Sequence, residues 1–418
     1  MGRFTMGSSA QGALSGIKVL DLSRVLAGPW CTQILADLGA DVVKIERPVD
    51  GDDTRHWGPP FLQDTHGQPT DQASYYTACN RNKRSVTIDM SRPAGRQILQ
   101  RMAGMADVVV ENFKVGGLVR HGLDHEHLLA AHPRLVYCSI TGFGQNGPYA
   151  ERAGYDLMVQ AACGLMSITG HADGEPGGGP LKAGVAVIDI LTGMYASNAI
   201  LAALHARERT GRGQYIDTAL LDVGMAMLAN QAAGFFASGK APTRAGNVHP
   251  SLAPYQDFAT RDGRVLLAIG NDGQFTRFCM AAGQAQRACD ERFATNTARV
   301  RHRDELLAWM QPLLRSRTSA QWIALLQDKA VPCGPINTIA QAFDDPQVHA
   351  RGLKVDLPRE AGDGIARIST VASPLRLSDT PVRYHGAPPA LGQHTEEVLM
   401  EMGMSMDEIA ALRADGTV

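Results

Sequence analysis

The chain has 418 residues, 44% hydrophobic and 20% charged, with 40 Lys and Arg against 42 Asp and Glu. That length exceeds one ordinary core, so two domains are expected. The net charge of -2 excludes a globally basic nucleic-acid binder and leaves any anionic ligand to local arginines.

The opening stretch "MGRFTMGSSAQGALSG" lacks the apolar centre of a secretory signal, and residues 1–15 read as a flexible tail. "IKVLDLS" is a strand, "RVLAGPW" a turn, "CTQILADLGA" a helix closed by Gly39, and "DVVKIERP" a strand ended by Pro48. This βαβ order implies a parallel sheet with a right-handed crossover. "RPAGRQILQRMAGMADVVVENF" repeats it as helix then strand, and "HPRLVYCSITGFG" adds another strand. Residues 16–228 are therefore expected to form a doubly wound α/β domain.

Leu191, Met194, Leu201 and Leu204 recur at helical spacing from Ile190 to about Arg207. "GRGQYIDTAL" follows as a strand and "LDVGMAMLANQAAGFFASG" as a helix. From about Pro242 short strands alternate with turns, then two helical stretches run to about Lys329, so 229–330 reads as a smaller α+β domain. The remainder, 331–418, is loop and short helices. No apolar run reaches the ~18 residues of a bilayer-spanning helix, and no membrane association is expected. The seven cysteines are scattered, odd in number and without a C-x-x-C pair, which suits reduced thiols in a cytoplasm better than disulfides or zinc.

Four features could carry chemistry. "GFGQNG" (142–147) matches G-x-G-x-x-G after a strand, but Pro148 follows where a pyrophosphate needs a helix N-terminus, so it reads as a Gly-rich loop. Among His121, His125, His127 and His132 no face gathers three ligands, and no metal is expected. The strand ends are richer. Arg24, Arg47 and Arg120, with Asn112 and Phe113, lie where an open α/β sheet binds ligands, and suit a phosphorylated adenine nucleotide. The competing reading pairs these arginines with Glu46 or Asp52 on the surface. The fourth feature is Asp189, a lone carboxylate in the apolar run "GVAVIDILTG". It is either the N-cap of the following helix or a reactive group.

Taken together, "SRVLAGPWCTQILADLGADVVKIERP", "RNKRSVTIDM", "DVVVENFKVGGL", "YCSITGFGQNGPYAERAGYDLMVQAACGLMSITG" and "AGVAVIDILTGMYASNAILAALHARERTGRGQYID" resemble the class III coenzyme A transferases. "GNVHPSLAPYQDF", "VPCGPINT" and "LGQHTEEVL" extend the likeness through the last third. The resemblance implies a large domain built from both chain ends, with 331–418 returning to it, a small domain, and two interlocked chains in a homodimer. It implies Asp189 as the nucleophile, already anionic at neutral pH with an ordinary pKa of ~3.9. It assigns the CoA site to Arg24, Val25, Leu26, Ala27, Arg47, Ile88, Asn112, Phe113 and Arg120. Gln145, Tyr155 and His249 are candidates for the substrate site. The coenzyme A thioester is then a substrate, with a free carboxylic acid as its partner and no tightly bound cofactor.

Leu26 stands where the formyl-CoA:oxalate enzymes have Gln, and the tetraglycine loop is absent near "HPSLAP". "ERPVDGDDTRHWGPPF" looks instead like the succinyl-CoA-dependent branch, which includes succinate–hydroxymethylglutarate CoA transferase, so a dicarboxylate is the expected acid. Two rivals remain: an α-methylacyl-CoA racemase, whose His-Asp pair is Tyr155-Asp156 here, and a CoA-binding subunit without catalysis.

Overall fold

A computed structural model of the chain describes residues 12–359 and 361–418. The expected tail lies outside the described residues as far as Gln11. From Gly12 on the chain is held, with the Leu14 N–H donating to the Leu38 carbonyl at 2.9 Å.

In chain order come β1 Lys18–Asp21, α1 Ala27–Asp37, β2 Asp41–Glu46, β3 Phe61–Gln63, β4 Pro69–Ala73, α2 Ser74–Thr77 and β5 Lys83–Thr87. Then follow α3 Pro93–Met105, β6 Val108–Glu111, α4 His125–Ala131, β7 Val136–Thr141, α5 Asp156–Ala162, α6 Leu165–Ile168, α7 Val187–Thr210 and β8 Tyr215–Ala219. Six of these strands make one parallel sheet in the order β5-β2-β1-β6-β7-β8. Both faces are covered, which is why its strands read as continuous apolar runs. Alternate residues go to opposite sides. Val108 and Val110 pack with Leu35 of α1, Val159 of α5 and Ile200 of α7. Val109 packs the other way, with Leu99 of α3 and Leu128 of α4.

The helix read as one after β8 is two, α8 Leu220–Met227 and α9 Ala229–Ser238, bent by 69°. Ala229 at the break has φ 40°. A second compact unit comprises Met166–Lys182 and Gly234–Pro346. It contains β9 Tyr255–Ala259 and β10 Arg264–Ala268, antiparallel, then α10 Asp272–Ala281, α11 Asn296–Arg301, α12 Arg303–Leu314, α13 Ser319–Asp328, β11 Cys333–Gly334 and α14 Ile339–Phe343. Its core is aromatic, with Phe258, Phe275, Phe278, Phe293 and Trp322 buried. The remaining residues, up to Leu165, Ala183–Ala233 and Gln347–Val418, form the first unit. There α15 Pro346–Ala350, the antiparallel pair β12 Lys354–Pro358 and β13 Arg367–Val371, and α16 Thr395–Glu401 and α17 Met406–Ala414 close the chain. Val398, Leu399 and Ile409 of its last two helices join the core beneath the sheet.

Further elements depart from the pattern reading, and β12 and β13 lie where 331–418 reads as loop and short helices. α7 starts at Val187 rather than Ile190 and is long and apolar enough to cross a bilayer, with mean hydropathy 1.6 over an 18-residue window. Its apolar character serves the core, because Ile188, Ala196, Ile200 and Ala203 are all buried there. Gly193 lets it approach α1: a Cβ at that position would lie 2.6 Å from the Ala27 carbonyl oxygen. The edge strand β5 was not legible at all, since "KRSVT" is polar.

Its lysine is part of a buried set of charges. Lys83 donates to Asp21 at 3.1 Å, to the Pro29 carbonyl at 2.9 Å and to Asn80 at 2.9 Å. Lys44 of β2 binds Asp52 at 2.9 Å and the Ser23 carbonyl at 2.8 Å. Glu46 takes Arg55 through both oxygens at 2.7 Å, and Ser85 of β5 at 2.6 Å. Burial pushes the Asp21 carboxyl up, but Lys83, Lys44 and the Ser23 and Thr32 hydroxyls outweigh it and hold it below its ordinary value. Removing one partner of such a pair leaves the other uncompensated. Lys83→Met should therefore cost about 3–5 kcal/mol in denaturant unfolding, and adding Asp21→Asn should recover much of that loss.

Candidate active site

β1 neighbours β2 on one side and β6 on the other, so the connections leaving its end diverge. Open α/β sheets bind ligands at such a point. The loop after β1 is clamped from two directions. Asn112, just past β6, accepts from the Arg24 N–H at 2.9 Å and donates to the Arg24 carbonyl at 2.7 Å. Asp52 accepts from the Val25 N–H at 3.2 Å. Between the clamps Val25 has φ 70°, a conformation costing roughly 1–3 kcal/mol for a β-branched residue. The buried charges below hold it there.

Two adjacent cavities open above this loop. One, of about 570 Å³, is lined by Arg24, Arg47, Ile88, Phe113 and Arg120. The other, of about 220 Å³, is lined by Arg24, Val25, Leu26, Ala27, Asn112 and Phe113 together with Tyr155 and Asp189. Arg24, Phe113 and Lys114 border both. All nine residues assigned to the CoA site thus border one or both cavities. Their contributions differ: Asn112 is spent on the loop, whereas Leu26, Ala27 and Ile88 are buried wall. The competing surface pairing is partly right but names the wrong acids. Arg24 and Arg47 both bind Asp53, at 3.2 and 3.0 Å, while Glu46 and Asp52 are buried with other partners.

Asp189 is not an N-cap. The cap position is Ala186, which makes no side-chain bond, and Asp189 is the third residue of α7. The capping is done from elsewhere: Asp156, first residue of α5, accepts from the Ile188 N–H at 2.8 Å and the Asp189 N–H at 3.2 Å. Its other oxygen accepts from the Gln160 amide, whose carbonyl takes the Ala183 N–H at 2.9 Å. One carboxylate so fixes both the end of α7 and the segment leading into it. It also sits beside the Asp189 carboxyl. Burial first, and the Asp156 charge second, push Asp189 up to about 7, which overturns the expected ordinary value.

Tyr75 was missed by sequence reading. Burial first and then the Asp189 charge push its phenol up to about 12, so it stays protonated near neutrality, although it borders neither cavity. Its signal lies only in the fold, since "QASYYTACN" has no chemical pattern. Tyr155 faces solvent at 61% exposure on the wall of the Asp189 cavity. Gln145 does not join them: its N–H donates to Asp217 at 3.1 Å, and it borders a separate cavity with Glu111 and Tyr137. His249 belongs to the second unit, where its Nδ1 accepts from the Ser251 N–H at 3.0 Å. In "GFGQNG" the backbones of Gly142 and Gly154 touch, and the next helix is α5. Of the histidines, His125 stacks on Tyr215 at 3.8 Å and His127 binds Asp124 at 2.7 Å.

An arginine-lined cavity beside one holding a perturbed carboxyl is an arrangement for covalent acyl chemistry on a large anionic carrier. The profile of CoA-transferase family III matches residues 14–395. The chain belongs to that family and is a class III CoA-transferase. It is 52% identical over 389 residues to a succinate–glutarate CoA-transferase of Agrobacterium fabrum, covering 93% of this chain and 95% of that one. It is 39% identical over 389 residues to the human succinyl-CoA:glutarate CoA-transferase, covering 93% and 86%. A solved CAIB/BAIF family protein from Brucella suis is 48% identical, with a TM-score of 0.82 over 94% of this chain and all of that one.

Asp156→Asn keeps an oxygen for the two N–H groups of α7 and removes the charge beside Asp189. Followed by carboxyl ¹³C NMR, Asp189 should titrate near 7 and its midpoint should move down in this variant.

Proposed function

We propose that this enzyme moves CoA from succinyl-CoA to a free dicarboxylic acid of the glutarate kind, with Asp189 as the nucleophile. The observation that carries the reading is the placement of Asp189 on a cavity that shares Arg24, Phe113 and Lys114 with the arginine-lined one. The relatives that act on succinate and glutarate supply the acids. In this reading Arg47 and Arg120 meet the adenosine phosphate, Ile88 flanks the adenine, and the thioester reaches Asp189.

The ionised Asp189 attacks the thioester carbonyl. The C–S bond breaks, CoA leaves as thiolate, and a mixed succinyl–aspartyl anhydride remains. The thiolate then attacks the aspartyl carbonyl and expels succinate, leaving an aspartyl-CoA thioester. The acceptor carboxylate attacks that carbonyl, freeing the thiolate and forming a second anhydride. Thiolate attack on the acceptor's acyl carbon yields the new acyl-CoA and restores Asp189. No net proton is transferred. Burial first, and the neighbouring Asp156 second, make Asp189 a more basic, stronger nucleophile than an ordinary carboxylate, while leaving a substantial ionised fraction near neutrality. The buried Leu26 and Ala27 help keep water from the anhydrides.

A racemase needs a base on each side of the α-carbon. Here Tyr155 replaces the histidine, and both oxygens of Asp156 are engaged by Ile188, Asp189 and Gln160. The reading includes a homodimer. Tyr155, Leu157, Met158, Val185 and Tyr195 stand more than half exposed, an apolar group that a second copy would cover. It also includes a reducing, cytoplasmic setting, in keeping with the unpaired cysteines.

Asp189→Ala should lower succinyl-CoA/glutarate exchange by roughly 10³-fold or more, and hydroxylamine should trap the acylated residue at position 189 by mass in the wild type. Exchange retained in the variant would sink the mechanism. Arg47→Ala and Arg120→Ala should each raise KM for succinyl-CoA by about tenfold, and much less for the 3′-dephospho analogue.

A further inference from the structure

A dicarboxylic acid brings two charges to a cavity whose reacting group is itself a carboxylate. The remote charge needs a fixed cation if the acid is to be bound and oriented. The cations bordering the Asp189 cavity are Arg24, Lys114 and Arg152. Arg24 is paired with Asp53, and both Arg24 and Lys114 also border the neighbouring cavity, on the side assigned to the CoA phosphates. Arg152 borders the Asp189 cavity and not the other.

The setting of Arg152 suits a carboxylate receptor. Its guanidinium lies 3.8 Å from the centroid of the Tyr149 ring. Tyr149 in turn meets Phe143 edge-on at 5.8 Å, and Phe143 packs against the core of the sheet. An arginine stacked by its face keeps its in-plane N–H groups free, a fork that matches a carboxylate. Although Glu151 borders the same cavity, Arg152 makes no ion pair among the described residues. Its loop is also fixed relative to the nucleophile. Gly142 and Gly154 touch backbone to backbone, so that a Cβ on either would lie 2.4 or 2.2 Å from the other's Cα. Two residues past Gly154, Asp156 binds the end of α7 that carries Asp189.

We propose that Arg152 determines the choice of acid by binding the remote carboxylate of the dicarboxylic substrate while the near carboxylate reacts at Asp189. This rests on the dicarboxylate reading above. The donor's succinyl carboxylate meets the same guanidinium before it leaves, so one cation serves both half-reactions.

The test compares glutarate with pentanoate, which has the same carbon chain and one carboxylate, as acceptors from succinyl-CoA. In Arg152→Gln the ratio of kcat/KM for glutarate over pentanoate should fall by roughly 10²-fold. Arg152→Lys should recover part of that ratio, since it restores the charge without the fork. The inhibition constant of free CoA should be unchanged in both variants, which a general loss of structure would not leave intact. A glutarate preference that survives in Arg152→Gln, or an equal fall for both acids, overturns the proposal alone. A wild-type enzyme that does not prefer glutarate to pentanoate overturns the dicarboxylate reading as well.

Discussion

Everything at this site depends on charges placed where water cannot reach them. Lys83 with Asp21, Lys44 with Asp52 and Arg55 with Glu46 lie beneath the carboxyl ends of β1, β2 and β5. Such pairs add little net stability over a well-packed apolar core, because each ion must first be stripped of water. What they supply here is direction. Lys44 holds Asp52, Asp52 holds the Val25 N–H, and the loop keeps a backbone conformation that valine would otherwise leave. That loop forms one wall of both cavities. A purely apolar layer would bury as much surface but could not aim an N–H.

The same logic governs Asp189, with the opposite effect on the group concerned. Beneath β1, β2 and β5 three carboxylates, Asp21, Glu46 and Asp52, are each matched by a cation and held below their ordinary values against the pull of burial. Asp189 is pushed up instead, by burial first and by the neighbouring Asp156 carboxylate second. The fold tolerates this because Asp156 also caps the long helix α7, whose amino end favours negative charge. One group thereby stabilises the helix and unsettles the residue on its first turn. Such opposed demands are expected at a reacting centre.

Much of the layout was legible in the chain. The apolar runs "VVKIE", "DVVVE" and "LVYCSIT" announced buried parallel strands, because a sheet covered on both faces has no polar side to interrupt them. Arg24, Arg47 and Arg120 could be placed at strand ends by counting elements, and Asp189 stood out as a charge in an apolar run. The failures have a common cause. "KRSVT" hid a strand because its lysine and serine are polar yet buried, and their partners lie far away in sequence. Asp189 looked like a cap because the true cap, Asp156, is contributed by another helix. Tyr75 carried no pattern, and Gln145 was drawn in by its Gly-rich motif although its backbone answers to Asp217.

Local sequence therefore determined what depends on a residue and its near neighbours: strand, helix, turn, the βαβ order, and the standing of Asp189 as a lone charge in an apolar run. Family likeness then narrowed the chemistry. Tertiary structure decided what depends on distance between remote segments: which carboxylates meet cations and which meet another carboxylate, which arginines are spent on Asp53, and which cations border the cavity of Asp189. Charge interactions fall off over a few ångströms of low-dielectric interior, so the same Asp can be held low or pushed up by one neighbour. That neighbour is chosen by the packing of α5 against α7, which no stretch of sequence states by itself.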